Sequence, residues 1–506
     1  MGNDEIKKIK SQKFFADLSR VYTQSAPTNP NDLSEKIVLK ASISNIDKSA
    51  TYAVQIFSIF GNQNNPLNES QLCIVDDITN TAVLNSSIVV QYYFEREQPL
   101  MVVINKTGGT NPRRFEIRTT LGCVMGSRKN TLVKNIPEAS GEILNLGADK
   151  LKDSEEILIF RLGNQSKINF KETKNKLVYH MMNSSKGPIY NSECINNNGL
   201  FNEVKIPSGI LKQGIILSFI NNKKKVIHEA KTNIEELINQ KQFSFNKYHF
   251  VSNSILTKTY TFVDYLKAGV QLGLSIAIDF TGSNGNPNDP RSLHYISGQE
   301  PNQYERAIYA CGNIMAYYDY DQLFPCYGFG AKINGQSCPM FNLNFQQDPN
   351  INLIQNVIEE YHKALTCVQL WGPTHFSPII KSTNDFIRAQ NDKLKYNVLM
   401  ILTDGMIEDV DNTIDELVEG SFLPLSVIII GVGKADFSTM VVLDADENPL
   451  VSSKGVKSVR DLVQFVPFLK YESNPERLAQ EVLAEIPKQI LEYYQQNNLD
   501  PVKLTT

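Results

Sequence analysis

The chain has 506 residues, 42% hydrophobic and 21% charged, which is enough for three or four separately cored domains at roughly 150 residues each and excludes extended disorder. Fifty Lys and Arg against 54 Asp and Glu leave a net charge near −4, too balanced for a protein that neutralises a nucleic-acid backbone. No apolar run reaches the ~18–20 residues of a membrane-spanning helix, and the opening Met-Gly-Asn-Asp-Glu carries no apolar signal core, so a cytoplasmic chain is expected.

Residues 1–32 read as a polar leader, with a short helix expected over Ile6–Tyr22 and a linker from Ser25 to Asp32. Gly2 fits the first position of a myristoylation signal, but Ile6 stands where that signal needs a hydroxyl, so no lipid is expected. From there the texture is short apolar or alternating runs split by Asn, Gly, Pro and Lys. Strands are expected at Ile37–Ile43, Tyr52–Phe60, Ser87–Phe94, Leu100–Ile104 and Arg114–Thr119, then at Glu156–Leu162, Lys176–Met182 and Gly214–Ile220. This spacing suggests two all-β sandwiches in series, residues 33–150 and 151–255, with a seam near Gly147–Ser154.

Over residues 256–506 the pattern changes. Leu274–Asp279, Val398–Thr403 and Leu425–Val432 are continuously apolar strands, and Pro325–Ile333 is a strand interrupted by glycine. Helical spacing occupies Tyr304–Tyr318, Leu353–Thr366, Asn412–Glu419 and Glu476–Gln496, the last with a break expected at Pro487. Strands apolar on both faces, alternating with helices, predict an α/β doubly wound, Rossmann-like parallel sheet.

The chemistry-bearing segments sit at the ends of those strands. Asp279-Phe280-Thr281-Gly282-Ser283 follows one, Thr403-Asp404-Gly405 follows another, and Gly372-Pro373-Thr374 opens a loop before a helix. Ligand sites in open α/β sheets lie outside the carboxyl ends of strands. Asp279, Thr281, Ser283, Thr374 and Asp404 offer two carboxylates and three hydroxyls, hard oxygen donors suited to Mg²⁺ or Mn²⁺. With so few charges around the ion, a carboxylate from a partner protein can complete the coordination. Taken singly, each segment also reads as a helix cap or a turn; the order of the three is what favours a metal site. The seven cysteines are scattered, without a CxxC pair or a histidine at zinc spacing, so reduced thiols are expected.

The same residues resemble the metal-ion-dependent adhesion site of von Willebrand factor A domains. The longer strings DFTGSNGNP (279–287), SLHYI (292–296), YGFGAKI (327–333), GPTHFSPII (372–380), ILTDG (401–405) and VQFVPF (463–468) are similar to copines. That resemblance implies two C2 domains followed by a copine-type A domain, in a cytosolic protein that recruits partner proteins through the A domain and binds phospholipid in response to calcium. It implies that Ser283, Thr281 and Thr374 offer hydroxyls to the ion, with Asp279 and Asp404 acting largely through bound water.

The front half departs from the family. Asn105-Lys106-Thr107-Gly108, read as the loop after Leu100–Ile104, stands where copines place paired aspartates. Asn221-Asn222-Lys223-Lys224-Lys225 lacks carboxylates in the second domain, and Asp47–Tyr52 departs likewise. Calcium needs clustered carboxylates and a lysine among them repels it, so calcium is not expected at the C2 domains. Asp76-Asp77 reads as a solvated turn, and Lys223–Lys225 either as a hairpin tip or as a contact to anionic lipid worth about 1 kcal/mol per basic residue. The function expected is a non-enzymatic adaptor with the C2 domains as scaffold, peripheral to membranes or part of a larger assembly. The alternative is a calcium-dependent phospholipid-binding protein in signalling or trafficking. Catalysis is not expected: the chain has no P-loop, no GxSxG and no GxGxxG after a strand. His294 and His375 fall near the site in sequence and read as surface loop residues rather than general bases.

Overall fold

A computed structural model describes residues 34–505, apart from 140, 152–155, 166–176, 184–187, 197, 198, 213, 222 and 445–447. Gly2 and the helix expected over Ile6–Tyr22 lie outside the described residues. The chain divides into two compact units, one of residues 1–151 with 262–506 and one of residues 152–261. No helix among the described residues is long and apolar enough to cross a membrane.

The first unit opens with an antiparallel sandwich. One sheet is built on Ser34–Ser44, which pairs with Ile143–Lys150, Thr81–Val83 and Ile88–Tyr93. The other is built on Ala50–Phe60 and Pro99–Gly108, with Arg113–Thr120 beside them. The alternation along Ala50–Phe60 puts Tyr52, Val54 and Ile56 in the core and the residues between them outward. The sequence placed the end of one strand at Ile104; it runs on to Gly108, and Asn105–Gly108 is ladder rather than loop.

The α/β part of the same unit is a mostly parallel sheet, in the order Gln336–Asn342, Leu323–Ile333, Gln271–Asp279, Lys395–Thr403, Leu425–Gly431, Val463–Pro467. Only the hairpin strand Gln336–Asn342 and two short strands run antiparallel to their neighbour Leu323–Ile333. The central strands are apolar because both faces are covered. Val398, Leu399, Met400, Ile401 and Leu402 are all fully buried although successive side chains point to opposite faces, and Leu399 and Ile401 belong to one extended core. After Gln271–Asp279 the chain crosses to one side of the sheet, and after Lys395–Thr403 to the other, which makes the carboxyl ends of this adjacent pair a topological switch point. The helix expected over Glu476–Gln496 is two, Pro475–Leu483 and Ile486–Gln496. Pro487 sits in the first turn of the second, where its missing N–H costs nothing.

The second unit is mainly β, with two short helices at Ser208–Leu211 and Ile234–Ile238 and a core of Phe160, Tyr179, Phe201, Phe219, Phe243 and Phe250 among others. The strand expected over Glu156–Leu162 breaks at Arg161: Glu156–Phe160 and Leu162–Asn164 pair in different sheets.

Candidate metal centre

Asp279 ends its strand fully buried. Phe280 continues inward, stacked on His294. Thr281 is extended and leads into a single 3₁₀ turn, Gly282–Asn284, so that the Thr281 and Ser283 hydroxyls meet at 2.9 Å. Both reach Asp404: the Ser283 hydroxyl lies 2.8 Å from its Oδ1 and that of Thr281 3.4 Å. Gly330, with φ +75°, leaves room for the Thr281 methyl, since a Cβ at that position would collide with it.

The first carboxylate is fixed from two sides. Asp279 Oδ1 accepts from the Thr281 backbone N–H at 2.8 Å, and Oδ2 accepts from the Thr403 hydroxyl at 2.6 Å. Thr374 is buried and joins through the backbone rather than through its hydroxyl. Its carbonyl accepts from the Glu408 N–H at 2.9 Å, tying its loop to the one that follows Asp404. Asp409 reinforces that tie by accepting from the N–H groups of Phe376 and Ser377 at the start of the helix Ser377–Gln390, where the helix dipole favours a carboxylate. Of the five residues singled out in the sequence, four form one hydrogen-bonded cluster, and Thr374 stands on a loop bound to it.

Burial sets the electrostatics of the two carboxylates. Neither Asp279 nor Asp404 forms an ion pair with a lysine, arginine or histidine among the described residues. Burial raises the Asp279 carboxyl, and burial together with the negative charge of Asp279 pushes Asp404 up to about 7. Two buried carboxylates with three nearby hydroxyls fit a hard divalent ion that keeps part of its water shell. Among the described residues no group of three His, Cys, Asp or Glu side chains converges as a metal cage, so an ion here depends on the hydroxyls. Ser283 is exposed, which leaves the cluster open on the solvent side.

Sequence reasoning missed three supports. Thr403 holds Asp279, Asn284 connects Thr281 to Tyr304, and His294 is no surface residue but fully buried. His294 Nε2 lies 2.9 Å from the Asp279 carbonyl, which can only accept, so Nε2 carries the proton; Nδ1 takes the Tyr361 hydroxyl at 2.7 Å. Burial pushes the ring down to about 3, which keeps it neutral. The SLHYI string was legible as a resemblance, but nothing in its spacing shows that its histidine reaches back to the first strand.

At the sandwich the loop reading needs correction. Lys106 lies in a strand with its ammonium buried, 2.6 Å from Glu142 and 3.7 Å from Asp47. It is an interior cation paired with acids, not a loop charge. Asp47 is already engaged by the Ser49 hydroxyl at 2.6 Å and the Thr110 hydroxyl at 2.7 Å. Asp76 spends its carboxylate on the turn at Ile78 and Thr79. In the second unit Lys223, Lys224 and Lys225 are exposed on a hairpin tip closed by the Asn221 side chain.

Residues 292–502 match the family model described as Copine. Among solved structures, the chain is similar to the SMP domain and paired C2 domains of extended synaptotagmin 2, at 11% identity over 45% of this chain and 58% of that one, with a TM-score of 0.18. It is also similar to manganese-loaded TRAP protein of Plasmodium vivax, at 12% identity over 42% of this chain and 74% of that one, with a TM-score of 0.27. A von Willebrand factor type A protein of Catenulispora acidiphila matches at 10% identity, over 68% of this chain and 52% of that one, with a TM-score of 0.26. The Copine match falls within the α/β part, with Thr374 and Asp404 inside the matched segment and Asp279, Thr281 and Ser283 just ahead of it.

Proposed function

We propose that this chain is a non-enzymatic adaptor that recruits partner proteins through a Mg²⁺ or Mn²⁺ ion held by Asp279, Thr281, Ser283, Thr374 and Asp404. The observation that carries the reading is the convergence of the Thr281 and Ser283 hydroxyls on Asp404, beside a second buried carboxylate with no compensating cation. An ion bound there supplies a Lewis-acidic, open coordination position. The chain's own residues hold its neighbours still: Thr403 and the Thr281 N–H orient Asp279, and Asp409 and Glu408 fix the Thr374 loop. An acidic side chain of the partner is the natural ligand for such a position.

In this reading the sandwiches are scaffold. Asp47 is already hydrogen-bonded and Lys106 occupies the interior beneath it, which argues for calcium-independent use, with Lys223–Lys225 free to touch anionic phospholipid. The protein works in the cytoplasm, peripheral to membranes or within an assembly. Mn²⁺ titration followed by electron paramagnetic resonance, with affinity capture from lysate in parallel, tests the proposal. Wild type should bind Mn²⁺ and retain partners, and Asp279→Ala should do neither; equal Mn²⁺ binding by both proteins would remove the reading.

A further inference from the structure

A cavity of about 940 Å³ lies within the first unit, between the first sandwich and the α/β domain, at the upper end of ligand-pocket sizes. Its walls come from residues 89–100 of the sandwich and from the helices Gln303–Met315 and Pro475–Leu483. Three large apolar side chains on its lining stay uncovered: Phe60, Val89 and Leu353 are 48%, 49% and 41% exposed. Gln480, also on the lining, is 5% exposed, and its Oε1 has no hydrogen-bond partner among the described residues.

We propose that this cavity is the docking site for the chain's own leader, residues 1–33, with Phe14 and Phe15 as its apolar anchors. The leader joins the fold at the cavity wall. Ser34 pairs with Tyr93, and the Gln91 side-chain amide donates to the Ser34 hydroxyl at 2.6 Å; Tyr93 and Gln91 both line the cavity. Phe15 precedes Ser34 by about 19 residues, a span that at ~3.3 Å per residue reaches any part of the cavity with slack. Between Ile6 and Tyr22 the leader places Phe14, Leu18 and Val21 at helical spacing. Apolar anchors cover the exposed rim, and a leader donor satisfies Gln480.

Hydrogen exchange on the full-length chain tests this. Wild type is compared with Phe14→Asp/Phe15→Asp and, separately, with Val89→Arg at the exposed rim, where the fold tolerates a charge. The expected result is a threefold or greater acceleration of exchange over residues 88–98 and over the leader in both variants, with the melting temperature of each retained within a few degrees. Unchanged exchange over 88–98 in both variants would overturn the proposal. So would co-sedimentation of wild type with phosphatidylserine vesicles that is lost in the leader variant while exchange over 88–98 stays constant, because that result assigns the leader to a membrane surface.

Discussion

The Thr403 hydroxyl donates to Asp279 Oδ2 at 2.6 Å, joining the carboxyl ends of two neighbouring parallel strands at the point where the sheet's winding reverses. Asp279 itself is fully buried, and with the Thr281 N–H on Oδ1 this bond fixes the orientation of its carboxylate. Thr403→Val keeps the shape and removes the donor. Mn²⁺ affinity should fall about tenfold, the scale on which ligand-orienting partners act, while the fold survives. Titration of the two proteins side by side checks it, and equal affinities would show that Asp279 is oriented by Thr281 alone.

Asp404 shares a buried site with Asp279, and neither is paired with a lysine, arginine or histidine among the described residues, so ionising both carboxyls costs repulsion. Asp404→Asn removes one charge and retains an oxygen for the Ser283 hydroxyl. The variant should melt higher than wild type in chelator, by about 1 kcal/mol of stability, and should lose the rise in melting temperature that millimolar Mn²⁺ gives wild type. Scanning calorimetry with and without Mn²⁺ separates the two effects. A variant that melts lower than wild type in chelator would mean that the carboxylate is a structural hydrogen-bond acceptor first.

What could be read in advance follows from where the signal is local. A buried strand that ends in an acid, as at Ile278-Asp279, announces itself through the contrast between an apolar run and a charge that must be used. The bond from Thr403 to Asp279 spans 124 residues of chain and His294 to Asp279 spans 15, and no periodicity encodes such contacts. Lys106 misled for the opposite reason. Asn-Lys-Thr-Gly has loop composition, yet the pleat carries Ile104 and Lys106 to the same inner face, where Glu142 makes the lysine tolerable. The two-helix break before Pro487 was legible because a proline ring excludes a hydrogen bond wherever it falls.

Asp319 sets a pH dependence. It is 2% exposed, and Lys395 approaches only to 3.7 Å. Burial pushes it up from 3.8 to about 7. The folded state therefore holds a proton that the unfolded chain releases, so stability is full below about pH 4 and declines as pH rises towards 7. At about 1.4 kcal/mol per pKa unit the loss is on the order of a few kcal/mol. Asp319→Asn should flatten this slope and melt higher than wild type at pH 8. Denaturation midpoints across the range decide it, and parallel curves for the two proteins would place the titration elsewhere.

Lys106 and Glu142 form a buried pair, 1% and 2% exposed at their side chains, and Glu142 also accepts from the Tyr52 hydroxyl at 3.2 Å. Lys106→Met leaves Glu142 charged and buried without its partner, which should cost about 3–5 kcal/mol; Lys106→Met with Glu142→Leu should recover most of that loss, because an apolar pair carries no desolvation penalty. The ammonium also bears on calcium. Hydrogen bonds from Ser49 and Thr110 hold Asp47 far below the usual carboxylate range, and calcium would have to displace those donors with the Lys106 ammonium 3.7 Å away. Millimolar calcium should therefore leave the melting temperature of wild type where it was and should not drive it onto acidic vesicles. A calcium-dependent shift in wild type that disappears in Asp47→Asn would show that this loop end binds the ion despite its internal cation.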